Sequence, residues 1–372
     1  MEVESLGRAA PSSGVLTVSR HPEFWRLLGG RRFVQRLLAT SRDLPVMVVE
    51  PLAPTLLAAA LEHAVREEGL DTCLHIDGAD GTGRSLAERL KAASGAQATT
   101  PEGFALQLRY AVLIVSGVGP SDDLGGQAAD FVRAAAARTD DATPRVVAVG
   151  AAPDKRWSAP AWRLETAEGV LNHLDTASFA AQAVGTEDTL SARLAISVAI
   201  EVGAWDLEIV ERLQSLPDLC AIRPDLHTDR WIDDRSREWS GHTTTAWQAG
   251  TSDAWAGTVC VHPVFLATNS PALLTRRVWR AHVAVLLPWL EEIRQAVVAR
   301  YADRLVADPT SYHEDVESLD WGPVCSQLAG EPSGVRDFLH NCRRLRNRLA
   351  HGSPASWHEI EACVKGLARW SR

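Results

Sequence analysis

Lysine is almost missing from this chain. Lys91, Lys155 and Lys365 are the only ones in 372 residues, and arginine carries nearly all the positive charge, a bias that points to a GC-rich bacterial genome. None of the three follows a glycine-rich turn, so no lysine stands where a working P-loop needs one to reach the β/γ-phosphates. Long apolar runs are also lacking. The most apolar stretch, residues 45–65, is broken by Glu50, Pro51, Pro54, Glu62 and His63, well short of the roughly 18 uninterrupted apolar residues of a membrane span. The six cysteines are scattered and never form a C-x-x-C pair, so they read as reduced core thiols. His227, His242 and His262 do not fall at metal-ligand spacings, and neither a metal site nor a resident cofactor is expected. Residues 1–20 carry Glu2 and Glu4 where a secretory leader would be positive, and have no apolar h-region. They read as a loose tail on a cytoplasmic protein.

What is present is ordinary soluble-protein composition, 46% hydrophobic and 23% charged, with a formal net charge of −9. That balance excludes a generic nucleic-acid glue. The charge is uneven, however. From residue 340 onward Arg343, Arg344, Arg346, Arg348, Lys365, Arg369 and Arg372 face only Glu359 and Glu361. This local surplus suits either a solvated helix face or a surface laid against a phosphate backbone.

At this length two domains plus connectors are expected. Residues 22–40 show helical periodicity. Short apolar runs then alternate with helical patterns: strands at 45–49, 72–76, 111–115, 145–149 and 162–164, and helices at 55–66, 84–93 and 127–138. Such alternation predicts parallel βαβ units with both sheet faces covered. Residues 169–222 turn wholly helical. The order of parts, a five-strand α/β unit and then a small helical lid, resembles AAA+ and STAND-type P-loop ATPases over roughly residues 20–220.

The motifs within that layout argue against catalysis. After the first strand, where the family places its phosphate loop, the chain reads Glu50-Pro51-Leu52-Ala53-Pro54-Thr55, with no glycine and no lysine. The third strand ends Val115-Ser116-Gly117, and Asp122 and Asp123 come too late to hold Mg²⁺ there. A second glycine-rich turn runs Gly78-Ala79-Asp80-Gly81-Thr82-Gly83-Arg84-Ser85, a P-loop spelling with Arg84 in place of lysine. Gly78, Gly81, Gly83, Arg84 and Ser85 are therefore candidate nucleotide ligands. Arginine does not reproduce lysine geometry, and glycine serves equally where a turn needs φ > 0. The module reads as an inactive STAND-like domain.

Trp231, Trp239, Trp247 and Trp255 recur every eight residues through 223–269. Gly241, Gly250 and Gly257 oppose one long helix, so loops or short strands with docked indoles are expected.

Residues 273–305 carry the longest amphipathic helix pattern. Helices at 321–328 and 334–350 follow, and Ser353-Pro354 signals the start of a fourth. Four helices with short connections predict an antiparallel bundle. On the third, Val335, Phe338, Leu339, Cys342, Leu345 and Leu349 fall within an arc of about 120° at the helical repeat. Arg346 falls inside that arc, and Arg343, Arg344 and Arg348 fall outside it. A guanidinium on an apolar face is costly unless paired, which singles out Arg346.

Arg346-Asn347-Arg348-Leu349-Ala350-His351 resembles the R-x4-6-H motif of HEPN domains, small helical bundles that include many metal-independent ribonucleases. The resemblance covers the last hundred or so residues. It implies a dimer with both motifs at its interface, His351 as general acid or base, Arg346 on the scissile phosphate and Asn347 as an orienting group. It also implies RNA, with tRNA as one candidate, as the partner, and Arg343, Arg344 and Arg348 as RNA-binding side chains. On an unbroken helix Arg346 and His351 lie about 140° apart, so they converge only if the helix ends at Ala350 or a partner copy completes the site.

The expected class is therefore α/β plus α. A tail (1–20), a degenerate P-loop-like domain (21–170), a helical lid (171–222), a Trp-rich connector (223–269) and a HEPN-like bundle (270–372) follow one another. The function this implies is a bacterial conflict or phage-defence ribonuclease. Two alternatives stand beside it: a non-catalytic adaptor within a multi-protein defence complex, and a nucleotide-binding regulator.

Overall fold

The computed structural model describes residues 20–70, 72–78, 83–119, 123–137, 144–150, 162–183, 189–232, 247–307 and 315–371. The 1–19 tail, Gly81, Asp122, Trp239, His242 and Arg372 lie outside the described residues. Two compact units emerge, one built mainly on Leu37–Thr166, the other on Ala167–Thr245 and Thr251–Arg372 together with His21–Arg36. Helix α1 (Leu28–Thr40) contributes residues to both.

The first unit is a five-stranded parallel sheet with helices around it. Its strands are β1 (Val46–Val49), β2 (Cys73–Asp77), β3 (Val112–Val118), β4 (Arg145–Gly150) and β5 (Arg163–Thr166), in spatial order β2-β3-β4-β1-β5. β1 pairs in register with β4 (Val46↔Val147) and β5 (Val46↔Arg163), both parallel. Four consecutive β-branched or unbranched apolar residues form β1, and all four are buried, as a strand covered on both faces requires. β5 is an edge, exposed at Arg163, Leu164 and Thr166, with Arg163 paired to Glu165 along the strand. Helices α2 (Pro54–Glu67), α3 (Leu86–Ser94), α4 (Pro101–Gln107) and α5 (Asp123–Ala136) complete the unit. Leu86, Leu90, Phe104 and Phe131 pack on Leu113, Val115 and Ala148 of the sheet. Short α4, with Gly103 inside it, was no part of the sequence expectation; Thr100 caps it and Pro101 opens it, the stereotyped start of a helix.

Among the described residues the second unit is helical apart from one hairpin. Helices α6 (His173–Ala183), α7 (Leu190–Gly203), α8 (Leu207–Gln214) and α9 (Asp218–Ile222) lead to strands β6 (Ser252–Trp255) and β7 (Thr258–Val261), which pair antiparallel. Then come α10 (Pro263–Asn269), the 30-residue α11 (Pro271–Arg300), α12 (Trp321–Gln327), α13 (Ser333–Ala350) and α14 (Trp357–Trp370). Leu194 of α7 and Ile222 of α9 share one core with Leu286, Leu290 and Ile293 of α11 and the apolar stripe of α13. The predicted stripe holds: Phe338, Leu339, Cys342, Leu345 and Leu349 are buried. The connector contains short strands, as expected, and Trp231 and Trp255 are buried, their indole N–H groups donating to Pro224 O and Thr176 Oγ1. No helix among the described residues is long and apolar enough to cross a membrane.

Candidate functional site

Helix α13 ends where its sequence changes character. Gly352, at φ +78°, donates to Leu349 O, and Ser353 donates to Arg348 O, the paired bonds of a Schellman stop that needs a left-handed residue. His351 is thus the C-cap, with its own N–H still on Asn347 O at 3.0 Å. The helix ends at Ala350. The His351 side chain is exposed, and among the described residues nothing hydrogen-bonds its ring.

Arg346 does not lie buried in the apolar face. Its side chain is 40% exposed, with Nη2 3.1 Å from Asp320 Oδ2 and Nη1 3.3 Å from Asn347 Oδ1. The helical wheel placed its Cα on the stripe, but a long stem carries the charged head out to the rim. Asp320 is a fixed partner, because its Oδ1 caps α12 through Trp321 N–H. Arg294, on α11, grips the segment just before it, donating to Glu317 O and Leu319 O at 2.8 and 2.7 Å. Glu291, one turn back, takes the other side of the Arg294 guanidinium. Hydrogen bonds from Arg294 hold the Glu291 carboxyl below the usual carboxylate range, and the Arg346 charge adds to this. Two guanidiniums and two carboxylates therefore form a balanced cluster beside the motif.

Sequence reasoning missed Glu291, Arg294 and Asp320. The available signals were a Glu–Arg pair at i,i+3 on an otherwise apolar pattern and an Asp directly before a helix start. Of the basic residues expected to meet RNA, Arg343 and Arg344 are exposed. Arg348 is different: Nε donates to Pro354 O and Nη1 to Glu359 Oε1, which ties the turn to α14. The start of α14 also needs correction. Ser356, not Ser353, is the N-cap, in a capping box with Glu359, since Ser353 and Pro354 are used up in stopping α13 and receiving Arg348.

Helix α11 holds this motif end from beneath. Trp279 Nε1 donates to Leu349 O at 2.7 Å. His282, fully buried, accepts the Ala355 N–H on Nδ1 and bonds Ile222 O through Nε2. Those two bonds require a neutral ring protonated on Nε2, and burial pushes the His282 pKa down to about 4.

The first unit closes its phosphate-like corners with its own side chains. After β1, fully buried Glu50 accepts the N–H groups of Leu52 and Ala53 on Oε1 and Arg20 Nε on Oε2. An internal carboxylate thus occupies two donors of the turn between β1 and α2. At the glycine-rich turn after β2, Ser85 caps α3 in a capping box with Glu88, and Leu86 N–H is taken by Gln127 Oε1. Hydrogen bonds from the Ser85 backbone and hydroxyl hold the Glu88 carboxyl below its usual range. Gly78 has a packing reason, since a Cβ there would come within 2.7 Å of Ser116 O. Gly83 supplies a positive φ, and Arg84 is exposed with its carbonyl on Arg89 Nε. Gly78 follows β2, and Gly83, Arg84 and Ser85 stand before α3, where the Leu86 and Glu88 N–H groups are already taken by Gln127 and Ser85. Comparison with protein-family models and with curated proteins finds no match, so the functional reading rests on these residues and their geometry.

Proposed function

We propose that the chain is a HEPN-type, metal-independent endoribonuclease effector of a bacterial conflict system, regulated by an inactive STAND-like module. The carrying observation is the end of α13, where the helix stops at Ala350 and an exposed His351 follows, five residues after Arg346 and four after Asn347. In this reading His351 takes the proton from a ribose 2′-hydroxyl, or gives one to the departing 5′-oxygen. Arg346 binds the phosphate oxygens, exchanging part of its contact with Asp320 for a second anion. Asn347 orients Arg346. The 2′-oxygen bonds to phosphorus as the P–O5′ bond breaks, leaving a 2′,3′-cyclic phosphate. A second copy of the chain would bring its own motif to the same substrate. Five parallel strands in the order 5-1-4-3-2, the order of AAA+ and STAND ATPases, support the regulatory half of the reading. The Glu50 plug supports its lack of activity.

A non-catalytic adaptor is the competing reading, and one observation favours it: Arg346 and Arg348 are already satisfied within the bundle, by Asp320 and by Pro354 and Glu359. Incubating the full chain with total RNA and with tRNA in EDTA separates the two. Cleavage that falls by about 10²–10⁴-fold in Arg346→Ala and His351→Ala supports the ribonuclease. Cleavage untouched by both substitutions points to a contaminant or a different site, and no cleavage by any sample supports the adaptor.

A further inference from the structure

The second unit contains an open pocket of about 490 Å³ that the ribonuclease reading does not use, lined by the β6–β7 hairpin, the start of α6, α7, α10 and the first turns of α11. Its size lies in the range of small-molecule sites. One wall is cationic. Arg276, Arg277 and Arg280, at i, i+1 and i+4 of α11, line it together with a single carboxylate, Glu201. Three positive charges against one negative leave a surplus of two.

Arg277 is the unusual member. It is 6% exposed, and its acceptors are Val202 O, Val261 O and Cys260 Sγ, all of them neutral groups. Burial draws its pKa below the ordinary arginine value. A buried guanidinium with no carboxylate in direct contact is costly; Glu201 acts on it only from a distance, and an anion in the adjoining pocket would offset the rest. Glu201 pairs with Arg280 through Oε2 at 3.3 Å and with His173 through Oε1 at 3.7 Å, contacts too long or poorly aligned to satisfy the buried Oε2 with a full hydrogen bond. The opposite wall is apolar: Trp255, Val259, Val261, Leu266 and Leu273. Val259 is 72% exposed and Leu273 49% exposed, an outlay of apolar surface at the rim that a ligand's apolar body would cover.

We propose that this pocket is a binding site for a phosphate monoester carrying an apolar or aromatic body, of which a nucleoside monophosphate is the representative class. A phosphate monoester carries about −1.5 to −2 at neutral pH, which matches the surplus of two; a zwitterionic amino acid would leave it uncompensated. The phosphate meets Arg276 and Arg280 in front of Arg277, a ligand hydroxyl meets Glu201, and the ring system lies on the aliphatic wall.

Isothermal titration calorimetry of the full chain tests this with AMP and phenyl phosphate as probes and adenosine and valine as controls. Saturable one-to-one binding of at least one phosphate probe is expected. It should weaken at least tenfold in the Arg276→Ala/Arg280→Ala double variant and in Val259→Asp, which sets a negative charge at the rim. Both variants alter exposed positions, and unchanged melting temperatures verify that they are folded. No binding of either phosphate probe into the millimolar range, equal binding by the folded variants, or tighter binding of adenosine or valine would overturn the assignment.

Discussion

The corner after β1 and the end of α13 are built from similar parts and left in opposite states. At the corner, the backbone N–H groups of Leu52 and Ala53 and the Arg20 guanidinium all donate to one carboxylate of the chain itself, Glu50, fully buried. At the end of α13, an arginine and a histidine stand five residues apart at a helix terminus, the arginine half-exposed on a rim carboxylate and the histidine exposed. Burial is what separates them. A buried plug is structural, because removing it strands a charge in low dielectric; an exposed ion pair is weak and exchangeable, because water and salt already compete for it. The first arrangement leaves its donors closed to a ligand and the second leaves its side chains accessible.

That contrast is open to direct attack. The largest effect is expected at the plug: Glu50→Ala should destabilise the protein by about 3–5 kcal/mol, read as a lower urea midpoint. Arg346→Ala, by contrast, should stay within about 1 kcal/mol of wild type. Equal losses at the two positions would erase the distinction. Next is His282, whose folded-state value near 4 lies below the ordinary histidine value. Between about pH 6.5 and 4 the unfolded chain binds the extra proton, so this contribution is complete above about pH 6.5 and is lost as pH falls to 4. Its size is about 3 kcal/mol. Stability of wild type and His282→Gln, followed by urea melts across that window, should converge as the pH drops; parallel curves would contradict the neutral clamp on Ala355.

Smaller again is the capping term. Ser356→Ala should cost about 1 kcal/mol and loosen the turn held by Arg348 and Glu359, whereas Ser353→Ala should be nearly neutral. Finally, Arg343→Ala and Arg344→Ala should leave stability within about 0.5 kcal/mol. Each should also lower the salt slope of RNA binding by about one. An unchanged slope would remove both residues from the RNA surface.

The elements were legible where one physical signal dominated. Val46–Val49 and Val112–Val115 are short apolar runs that only buried strands explain, and the α13 stripe follows directly from a 3.6-residue period. Gly352 announced the end of α13 because a Schellman stop needs a positive φ. Ser353-Pro354 looked like a helix start for the same local reasons as Ser356, and only the tertiary bond from Arg348 to Pro354 separates the two. Short α4 was hidden by Gly103 and by its seven-residue length. In the candidate site, Arg346, Asn347 and His351 stood out by type and spacing. Asp320 did not, being 26 positions away and joined to Arg346 only through the fold. The wheel located the Arg346 backbone correctly but was blind to the direction of a long, flexible side chain. The absence of glycine and lysine after β1 was visible; that Glu50 fills the vacated donors was not, because a lone acid before a proline carries no periodic signature.

The most direct test of the central claim is mass spectrometry of the ends left on tRNA cut by the purified full chain in EDTA. The account predicts 2′,3′-cyclic phosphate and 5′-hydroxyl ends, present with wild type and missing with His351→Ala. Ends of 3′-hydroxyl and 5′-phosphate, or cyclic-phosphate ends that persist in His351→Ala, would contradict it.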